Sequence, residues 1–441
     1  MATIEEERRI LIHEGAVKMP KIRKATKKGV PADLATQKKA AAGAAGGVVP
    51  GFSYMGGPVV ENPQVYTLFV GDWSSGTNSN RAKRLSKFVD DLMQSHYMRI
   101  LTQYGCGDSG QLVAQVMLAN SNRNLTDNDI HGILQNAIDN GKIPEPNNRS
   151  NVYMLFLDDN TGVTGGQIVM CETNGDNAFG YHDFFLTKAN NPCYYAVIPG
   201  LTNTCLTNSC PSDPNCSLHL AETQEQRQTQ VTSHEFSEMI SDPQLNAWLD
   251  SNSGNENGDI CNGNTGTLKV GPDTWTVQLM YSKLDDMISN GATTCIAGIP
   301  ALSAVPLARY WNTQITDHFY TTELNELSYD NKGWNLESIQ CYINRQPSPG
   351  TVPLYRYWNL QAGDHFYTTN WNELGYGEHG WTFELIQGYV YSLHKVGTVP
   401  LYRYWNAAVA DHFYTTNFNE LGNGAQGWVL ENIQCYVYPG I

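Results

Sequence analysis

The chain contains no apolar run long enough to span a bilayer, so its sequence predicts no transmembrane helix. The stretch from Met1 to His13 is charged and lacks the apolar core of a conventional signal peptide. We therefore expect a protein that is extracellular or released from the cell without a recognisable signal peptide. Storage in the cytoplasm is the alternative.

Basic residues are scarce in most of the chain. The 441 residues include 28 Lys and Arg against 43 Asp and Glu, a formal net charge of -15. Residues 1–40 hold ten basic and five acidic residues, so the remaining chain has 18 and 38, a charge of -20. Nucleic-acid binding depends on a basic surface that faces the phosphates, and we therefore expect no nucleic-acid partner.

The C-terminal part of the chain repeats one motif three times. Pro-Leu-x-Arg-Tyr-Trp-Asn begins at Pro306, Pro353 and Pro400 and is each time followed by Asp-His-Phe-Tyr-Thr-Thr, with a period of 47 residues. Each copy is aromatic and β-branched and is too short to bury a core alone. Three copies predict a closed pseudo-threefold all-β domain over residues 303–441, with a β-trefoil favoured over a small propeller-like or prism-like closure.

Two further regions precede the repeats, so we expect a multidomain protein. Residues 1–60 are Lys-rich and then Ala/Gly-rich, which predicts a disordered or loosely structured tail. Residues 61–298 interleave strand and helix patterns and predict an α/β or α+β domain. The pattern places strands at 65–70, 152–157 and 194–198, helices at 82–104 and 126–142 with Thr126 as N-cap, and a linker at 298–301.

Four of the ten cysteines lie close together in a polar stretch: Cys193, Cys205, Cys210 and Cys216. Close cysteines in a polar loop predict disulfides in an oxidising compartment. A zinc site is the weaker alternative, because Cys205 and Cys210 lack the two-residue spacing of a zinc knuckle.

The clearest chemical signal is the sequence His234-Glu235-Phe236-Ser237-Glu238, which we expect on a helix that ends before Pro243. His234 and Glu238 are four residues apart, so they share one helical face and can hold one cation together. Glu235 lies next to the first ligand, where a carboxylate can take a proton from a metal-bound water. This is the logic of the zinc-peptidase motif His-Glu-x-x-His, with the second His replaced by Glu.

A third ligand is expected from the acidic stretch 250–261, where Glu256 and Asp259 are the first choices. Zn²⁺ is the expected cofactor, because in such a site it lowers the pKa of its water to about 7 and polarises a carbonyl. The Glu238 ligand makes the site harder and more anionic than two histidines would. Ca²⁺ and Mn²⁺ are therefore the alternatives.

The helix motif is followed by Ser-Asp-Pro at 241–243, Asn-Ala-Trp at 246–248 and Glu-Asn-Gly-Asp-Ile-Cys at 256–261. With Gly180-Tyr181-His182 and the strand at 195–199, this order resembles the phosphate-induced, exordium-like protein family over about residues 65–295. The resemblance implies a secreted, zincin-like domain, and it implies no substrate. The site residues it implies are His234, Glu235, Glu238, Glu256 and Asp259, with His182 as a companion.

His182 has three interpretations. It is a further metal ligand, a neutral donor that stabilises the oxyanion of a tetrahedral intermediate, or a buried, hydrogen-bonded histidine beside Tyr181 and Phe184. We keep it as a candidate catalytic residue beside Glu235. Cys261 is interpreted as a disulfide partner, with Cys295 as its candidate mate, because a catalytic thiol there would lack an evident His base.

The repeats resemble modules appended to secreted bacterial and fungal hydrolases, a domain family without a settled function. Aromatic rings can stack on the apolar face of a pyranose while Asp, Asn and Arg bind its hydroxyls. In the alternative, the Trp, Phe and Tyr side chains of each copy form the threefold core and Arg309 pairs with Asp317, with equivalent pairs in the other copies. The candidate carbohydrate-binding residues are Arg309, Asp317, His318, Arg356, Asp364, His365, Arg403, Asp411 and His412.

The sequence therefore predicts a zinc-dependent hydrolase, most simply a peptidase, that a C-terminal lectin-like module targets to glycans. Its expected partners are a peptide or protein substrate and glycans. The alternative is a non-catalytic, metal-stabilised glycan-binding or toxin-like protein.

Overall fold

A computed structural model describes residues 51–440 apart from 147–148, 165–168, 171–177, 210–219, 289–293, 298–302 and 329–331. The described residues form two compact units. The N-terminal domain comprises Val59–Leu101 and Cys106–Ala301 together with Phe52. The repeat domain comprises Leu302–Ile441 with the segments Ser53–Pro58 and Thr102–Gly105. Helices and several sheets are both present, so the chain is a multidomain protein of mixed α and β structure, as predicted.

The predicted tail and linker fall mostly outside the described residues, which include neither 1–50 nor 298–301. The prediction of a tail up to residue 60 is wrong for 51–60, because strand β1 (Phe52–Tyr54) forms there and Val59 and Val60 are buried. The Val60 N–H donates to the Ile240 carbonyl at 2.8 Å. This segment therefore belongs to the folded chain.

The regular elements of the N-terminal domain alternate along the sequence. Its helices are α1 (Gly76–Met93), α2 (Met98–Leu101), α3 (Asp127–Asp139), α4 (Asn203–Ser209), α5 (Gln224–Ser241), α6 (Asn257–Ile260) and α7 (Lys283–Ile288). Its strands are β2 (Gln64–Val70), β3 (Gln111–Leu118), β4 (Asn124–Leu125), β5 (Asn151–Leu157), β6 (Gly162–Val163), β7 (Tyr181–Leu186), β8 (Pro192–Ile198), β9 (Trp248–Asp250), β10 (Thr265–Val270), β11 (Asp273–Gln278), β12 (Met280–Tyr281) and β13 (Cys295–Ile296).

A five-stranded sheet organises this domain, in the order β3-β2-β5-β8-β7. The first four strands are parallel and β7 is antiparallel to β8. The central strands β2, β5 and β8 are almost wholly buried, as expected for strands covered on both faces. These three strands were predicted from their apolar runs, and that prediction is confirmed.

Helices α3 and α5 cover opposite faces of the sheet. Successive side chains of a strand point to opposite faces, and β7 shows the two directions. The Tyr181 hydroxyl donates to Asp127 of α3 at 2.8 Å, whereas the next side chain, His182, faces Glu235 of α5. The alternation of side chains along β7 therefore directs His182 toward α5.

The predicted helices form with one interruption. Thr126 caps α3 through a capping box with Asp129, as predicted. The predicted helix 82–104 is instead divided into α1 and α2. Ser95 explains the break, because its hydroxyl donates to the Leu92 carbonyl and accepts from the Tyr97 N–H, which competes with helical bonding.

The cysteines follow the predictions only in part. Cys261 and Cys295 form a disulfide with 5.8 Å between their Cα atoms, and Cys205 is also disulfide-bonded. The prediction for Cys193 is wrong, because this residue lies in buried strand β8 as a free thiol. Cys210 and Cys216 lie outside the described residues. Among the helices that the structure describes, none combines the length and apolar character needed to cross a membrane.

Each copy of the repeat folds into three antiparallel strands. They are β14 (Val305–Asn312), β15 (Asp317–Thr321) and β16 (Trp334–Ile343) in copy one, β17 (Thr351–Asn359), β18 (Asp364–Thr368) and β19 (Thr382–Tyr391) in copy two, and β20 (Val399–Asn406), β21 (Asp411–Thr415) and β22 (Val429–Pro439) in copy three. Short helices follow the second strands: α8 (Asn325–Ser328) and 3-10 turns at Trp371–Glu373 and Phe418–Glu420.

The three copies are related by a pseudo-threefold arrangement. In each copy the first strand pairs with the other two, and a register shift recurs at equivalent positions after Leu307, Leu354 and Leu401. The third strands meet one another, since β22 pairs with β16 and β19, and Asn344 bridges to Tyr389. The β-trefoil stays a prediction.

Three tyrosines 47 residues apart close a ring at the centre of the repeat domain. The Tyr367 hydroxyl accepts from the Tyr320 N–H and donates to the Tyr320 carbonyl, at 2.8 and 2.7 Å. Tyr414 binds Tyr367 in the same way, and Tyr320 binds Tyr414. The rings pack among the buried side chains Leu307, Leu354 and Leu401. Each copy therefore completes the backbone hydrogen bonds of its neighbour.

The predicted aromatic core is confirmed for the tyrosines Tyr320, Tyr367 and Tyr414 and is wrong for the tryptophans of the repeated motif. Trp311, Trp358 and Trp405 are partly exposed and contact the histidine rings His318, His365 and His412, while aliphatic side chains and tyrosines fill the centre. The predicted pairing of Arg309 with Asp317 is also wrong. Their strands pair in a register that places Arg309 opposite Tyr320 and Asp317 opposite Asn312.

We predict that Tyr367→Phe destabilises the repeat domain. The change removes the hydroxyl that satisfies the Tyr320 N–H, and an unsatisfied buried donor costs about 1–3 kcal/mol. The free energy of unfolding, from denaturant titration of the full chain followed by aromatic fluorescence, should fall by that amount. Tyr376→Phe is the control, because that side chain is 87% exposed. Equal stability of the two variants would contradict the ring's role.

Candidate metal centre

Helix α5 brings the two predicted ligands together in the interior of the N-terminal domain. A capping box between Thr223 and Gln226 starts the helix, and it ends at Ser241 before Pro243, as predicted. The four-residue spacing puts His234 Nε2 3.2 Å from Glu238 Oε2. His234 is fully buried and Glu238 nearly so.

Strand β7 adds His182 to this cluster. Its Nδ1 lies 3.5 Å from Glu235 Oε2 and 3.7 Å from Glu238 Oε2, and its Nε2 lies 3.4 Å from Glu256 Oε1. His182 is therefore buried, as one interpretation had it, but among carboxylates rather than only beside Tyr181 and Phe184. The two residues that the sequence suggested as catalytic, His182 and Glu235, therefore lie next to each other in the structure.

The segment around α6 supplies the remaining carboxylates. The Asp259 N–H donates to Glu238 Oε1 at 2.9 Å, and Asp259 Oδ1 lies 4.0 Å from His234 Nε2. Between them Gly258 approaches so closely that a Cβ there would lie 2.8 Å from Glu238 Oε1 and 2.9 Å from His234 Nδ1. The disulfide of Cys261, next after α6, ties this segment to β13.

These side chains form two groups suited to a cation. One is His234, Glu238 and Asp259, and the other is His182, Glu238 and Glu256, with the ligand atoms of each group within 4.8 Å of one another. Nitrogen and carboxylate oxygen are the ligand atoms of zinc and of other divalent ions. The two Nε2 atoms, of His234 and His182, are buried and make no hydrogen bond within the described residues. The residues present therefore fit a divalent metal.

Burial and the attraction between carboxylates and histidines dominate the electrostatics of the cluster. Burial raises the pKa of Glu235 and of Glu238. Burial alone would lower the pKa of His234, but the charge of Glu238 outweighs it and raises that pKa to about 10. The pKa of His182 is likewise well above its ordinary value, because burial is outweighed by the charge of Glu256, by the Glu235 carboxylate 3.5 Å from Nδ1 and by the charge of Glu238. Without a cation the cluster retains protons, and a bound cation displaces them.

Gln278, which ends β11 and contacts His234, could not be recognised from the sequence. Its Nε2 lies 2.7 Å from His234 Nδ1 and 2.9 Å from the Gly258 carbonyl, and its N–H donates to Ser233 Oγ at 3.0 Å. A metal on His234 Nε2 leaves the ring proton on Nδ1, and that proton needs an acceptor on the far side of the ring. Gln278 supplies one when its carboxamide turns Oε1 toward Nδ1, and this oxygen accepts no hydrogen bond within the described residues. Forty-four residues separate the two side chains, so only the fold brings them together.

Gly180 is a second residue whose role depends on the fold. A Cβ on it would lie 2.5 Å from Val231 and 2.7 Å from Glu235 Oε1. Only glycine leaves room for the Glu235 carboxylate at this point. The sequence offered a signal here, since Gly180 directly precedes Tyr181 and His182 in the segment that carries the family resemblance.

The nine candidate carbohydrate-binding residues are buried, with the aspartates bound to the histidines and the arginines bound to glutamates. Asp317 accepts the backbone N–H of His365 at 3.1 Å and shares a hydrogen bond with its Nδ1 at 2.5 Å, and the pairs of Asp364 with His412 and Asp411 with His318 repeat this geometry. Each arginine, Arg309, Arg356 and Arg403, pairs through Nε with a glutamate at 2.8 Å. These side chains connect the copies, so the structure does not support their assignment as glycan ligands.

The three aspartates of the repeats also lie within 4.8 Å of one another. Burial and the charges of Asp364 and Asp411 raise the pKa of Asp317 to about 9. Burial lowers the pKa of its partner His365 to about 4. The carboxylates already accept hydrogen bonds from the histidines, so this group is accounted for by the contacts between copies.

Comparison with known proteins bears only on the repeats. The family model described as "Domain of unknown function (DUF5648)" matches residues 306–438. The chain matches no curated protein and no solved structure. The matched residues span all three copies, and the description of the family names no activity.

We predict that Gln278→Leu weakens metal binding by about 10–100-fold, the usual effect of losing an outer partner of a ligand histidine. Zn²⁺ titration of the metal-free full chain against a competing chelator measures the affinity. Gln228→Leu is the matched control, because Gln228 is an equally buried glutamine that bonds the Pro199 carbonyl instead. An unchanged affinity in Gln278→Leu would refute the positioning role.

Proposed function

We propose that the N-terminal domain is a zinc-dependent hydrolase of zincin-like type whose general base is Glu235. The observation that carries this proposal is that the Glu235 carboxylate is buried without hydrogen bonds of normal geometry within the described residues. Its side chain is fully buried next to His234, and neither oxygen accepts a hydrogen bond of normal geometry within the described residues. A buried carboxylate left in this way is costly and requires an explanation. A role in proton transfer supplies one.

Each residue has a distinct role in this proposal. His234, Glu238 and Asp259 would hold the metal, with Zn²⁺ first and Mn²⁺ or Ca²⁺ as alternatives because of the carboxylates. When bound, the metal would act as a Lewis acid that polarises a carbonyl. Glu235 accepts the proton of the attacking water, and His182 orients the Glu235 carboxylate from 3.5 Å.

A peptide or protein is the proposed substrate class. Strand β7 carries His182 and ends the sheet order, and within the described chain no strand pairs with its outer edge. An extended peptide can add to such an edge through backbone hydrogen bonds. A substrate aligned in this way would pass beside the cluster on α5.

The alternative is a metal that only stabilises the domain, in a protein without catalysis. The complete burial of His234 and Glu235 favours it, because a substrate must reach the reacting groups. In that case the metal compensates the charge of the buried carboxylates and removing it would unfold the domain.

The variant Glu235→Gln separates the two readings. We predict that it keeps the fold and the metal but loses peptide hydrolysis by about 10²–10⁴-fold, the usual contribution of a general base. Peptide-library cleavage and metal analysis measure the two properties. Glu225→Gln is the control, since Glu225 lies on the same helix but pairs with Arg84 near the surface. Undetectable cleavage by the unaltered protein would favour the stabilising metal.

The wider assignment rests on the motif order in the sequence. We place residues 65–295 with the exordium-like family and the repeats with the modules of secreted hydrolases, and we propose an extracellular or released protein on the same basis. The β-trefoil is proposed from the three copies and their common period.

Glycan binding by the repeats has one specific observation in its favour, at a different place from the predicted residues. In copy two, Trp371 contacts Tyr355, Tyr376 and Phe383 with ring centroids 4.9, 5.0 and 5.5 Å apart. None of the four is buried and Tyr376 is strongly exposed. Exposed aromatic faces can stack on sugars.

The corresponding surfaces of the other two copies have fewer aromatic side chains. Copy three keeps Tyr402 and Phe418, with centroids 5.1 Å apart, whereas copy one has Ala308 and Leu324 at the corresponding positions. Copy one therefore lacks both rings at these positions. The proposed lectin-like module therefore has its best site in copy two.

We predict that Trp371→Ala lowers the apparent affinity for a glycan-coated surface by at least about 3–10-fold, the value of one aromatic stacking contact. Simultaneous contact through copy three would enlarge the effect on a dense surface. Binding of the full chain to a glycan array measures it. Leu360→Ala, an exposed apolar residue of the same copy, is the control. An array that stays blank with the unaltered protein would leave the repeats without a glycan role.

A further inference from the structure

The acidic cluster on α5 holds more ligand atoms than one ion uses. Its two groups, His234 with Asp259 and His182 with Glu256, share Glu238. The shared residue is Glu238, whose Oε2 lies 3.2 Å from His234 Nε2 on one side and 3.7 Å from the His182 ring, at Nδ1, on the other. The cluster therefore has two halves joined by one carboxylate.

One ion cannot use both halves in this geometry. Zinc binds nitrogen and oxygen at about 2.0–2.2 Å, so two ligand atoms of one ion lie roughly 4.4 Å apart or less. Within the described chain, no group of ligand atoms that lie within 4.8 Å of one another contains both His182 and His234. Each histidine consequently belongs to a separate position.

Two unpartnered nitrogens support two positions rather than one. His234 Nε2 and His182 Nε2 are both buried, and neither makes a hydrogen bond within the described residues. The first is directed at Glu238 and Asp259, and the second at Glu256. A nitrogen donor in each half has a carboxylate facing it, which is what a cation between them requires.

The charge of the cluster matches two divalent ions. Four carboxylates lie together, those of Glu235, Glu238, Glu256 and Asp259, and both histidines bind metal in their neutral form. One divalent ion balances two of these carboxylates, and the other two must then keep protons or pair with other groups, because a bare buried charge is expensive. Two divalent ions neutralise all four carboxylates.

We propose that the N-terminal domain holds a dinuclear metal centre bridged by Glu238. The first position is formed by His234, Asp259 and Glu238, and the second by His182, Glu256 and Glu238. Hydrolytic two-metal sites place their ions about 3.5–4 Å apart, a separation that one bridging carboxylate spans. The first position is the metal site of the proposed function, and the inference rests on that proposal there. The second position is not part of the proposed function.

The test counts metal ions per chain in the full-length protein. Metal-free protein is titrated with Mn²⁺, and bound metal is measured after desalting. The unaltered protein should bind two ions, and His182→Ala and His234→Ala one each. Glu225→Gln should bind two. In the Mn²⁺-loaded unaltered protein, electron paramagnetic resonance should show two coupled ions, and in His182→Ala an isolated ion with its six-line spectrum.

The outcomes separate this inference from the proposed function. A single ion in the unaltered protein, lost in His234→Ala and kept in His182→Ala, would overturn the second position and leave the hydrolase site intact. No bound ion would overturn both. Circular dichroism checks the fold of each variant. If His182→Ala does not fold, Glu256→Gln serves instead, because it replaces one ligand oxygen at nearly constant volume. We expect Glu256→Gln to bind one ion. Two bound ions in this variant would overturn the proposal.

Discussion

Both domains depend on how they compensate carboxylates held away from water. In the N-terminal domain, Glu235, Glu238 and Glu256 are buried around two histidines. In the repeat domain, three buried aspartates each accept two hydrogen bonds from a histidine of another copy. The second arrangement satisfies its carboxylates with protein groups alone. The first does not, since Glu235 and two imidazole nitrogens are left without hydrogen bonds in the described structure. Because of this contrast, we propose metal binding and catalysis for the N-terminal domain. In the repeat domain, the buried aspartates hold the three copies together.

The fold explains how a cluster of this charge can be positioned at all. Helix α5 supplies His234, Glu235 and Glu238 from one rigid element, and the capping box fixes where that helix begins. Strand β7 presents His182 by alternation, and the disulfide-anchored segment around α6 presents Glu256 and Asp259. Glycines at 180 and 258 let backbone come within contact distance of the carboxylates. The functional side chains thus come from three separate elements, which the fold of the domain holds together.

The sequence predicted the parts of this structure that local patterns determine. The buried strands β2, β5 and β8, the cap at Thr126, the end of α5 before Pro243 and the Cys261–Cys295 disulfide are all observed. The cluster of His182, His234, Glu238, Glu256 and Asp259 is also brought together. What failed depends on register and long-range packing. The Arg309–Asp317 pair did not form because the strands pair with Asp317 opposite Asn312, and Gln278 was missed because 44 residues separate it from His234.

The contacts between copies are cyclic, and this has a consequence for how the chain folds during synthesis. Asp317 binds His365, Asp364 binds His412, and Asp411 binds His318, across 48, 48 and 93 residues. On the ribosome, the first two copies emerge with one histidine and one aspartate still unmatched. The ring cannot close until the third copy has left the exit tunnel, and contacts of such sequence separation form slowly. Two-copy or four-copy versions would break the closure, so the number of copies is fixed by the interaction itself rather than by the length of the gene.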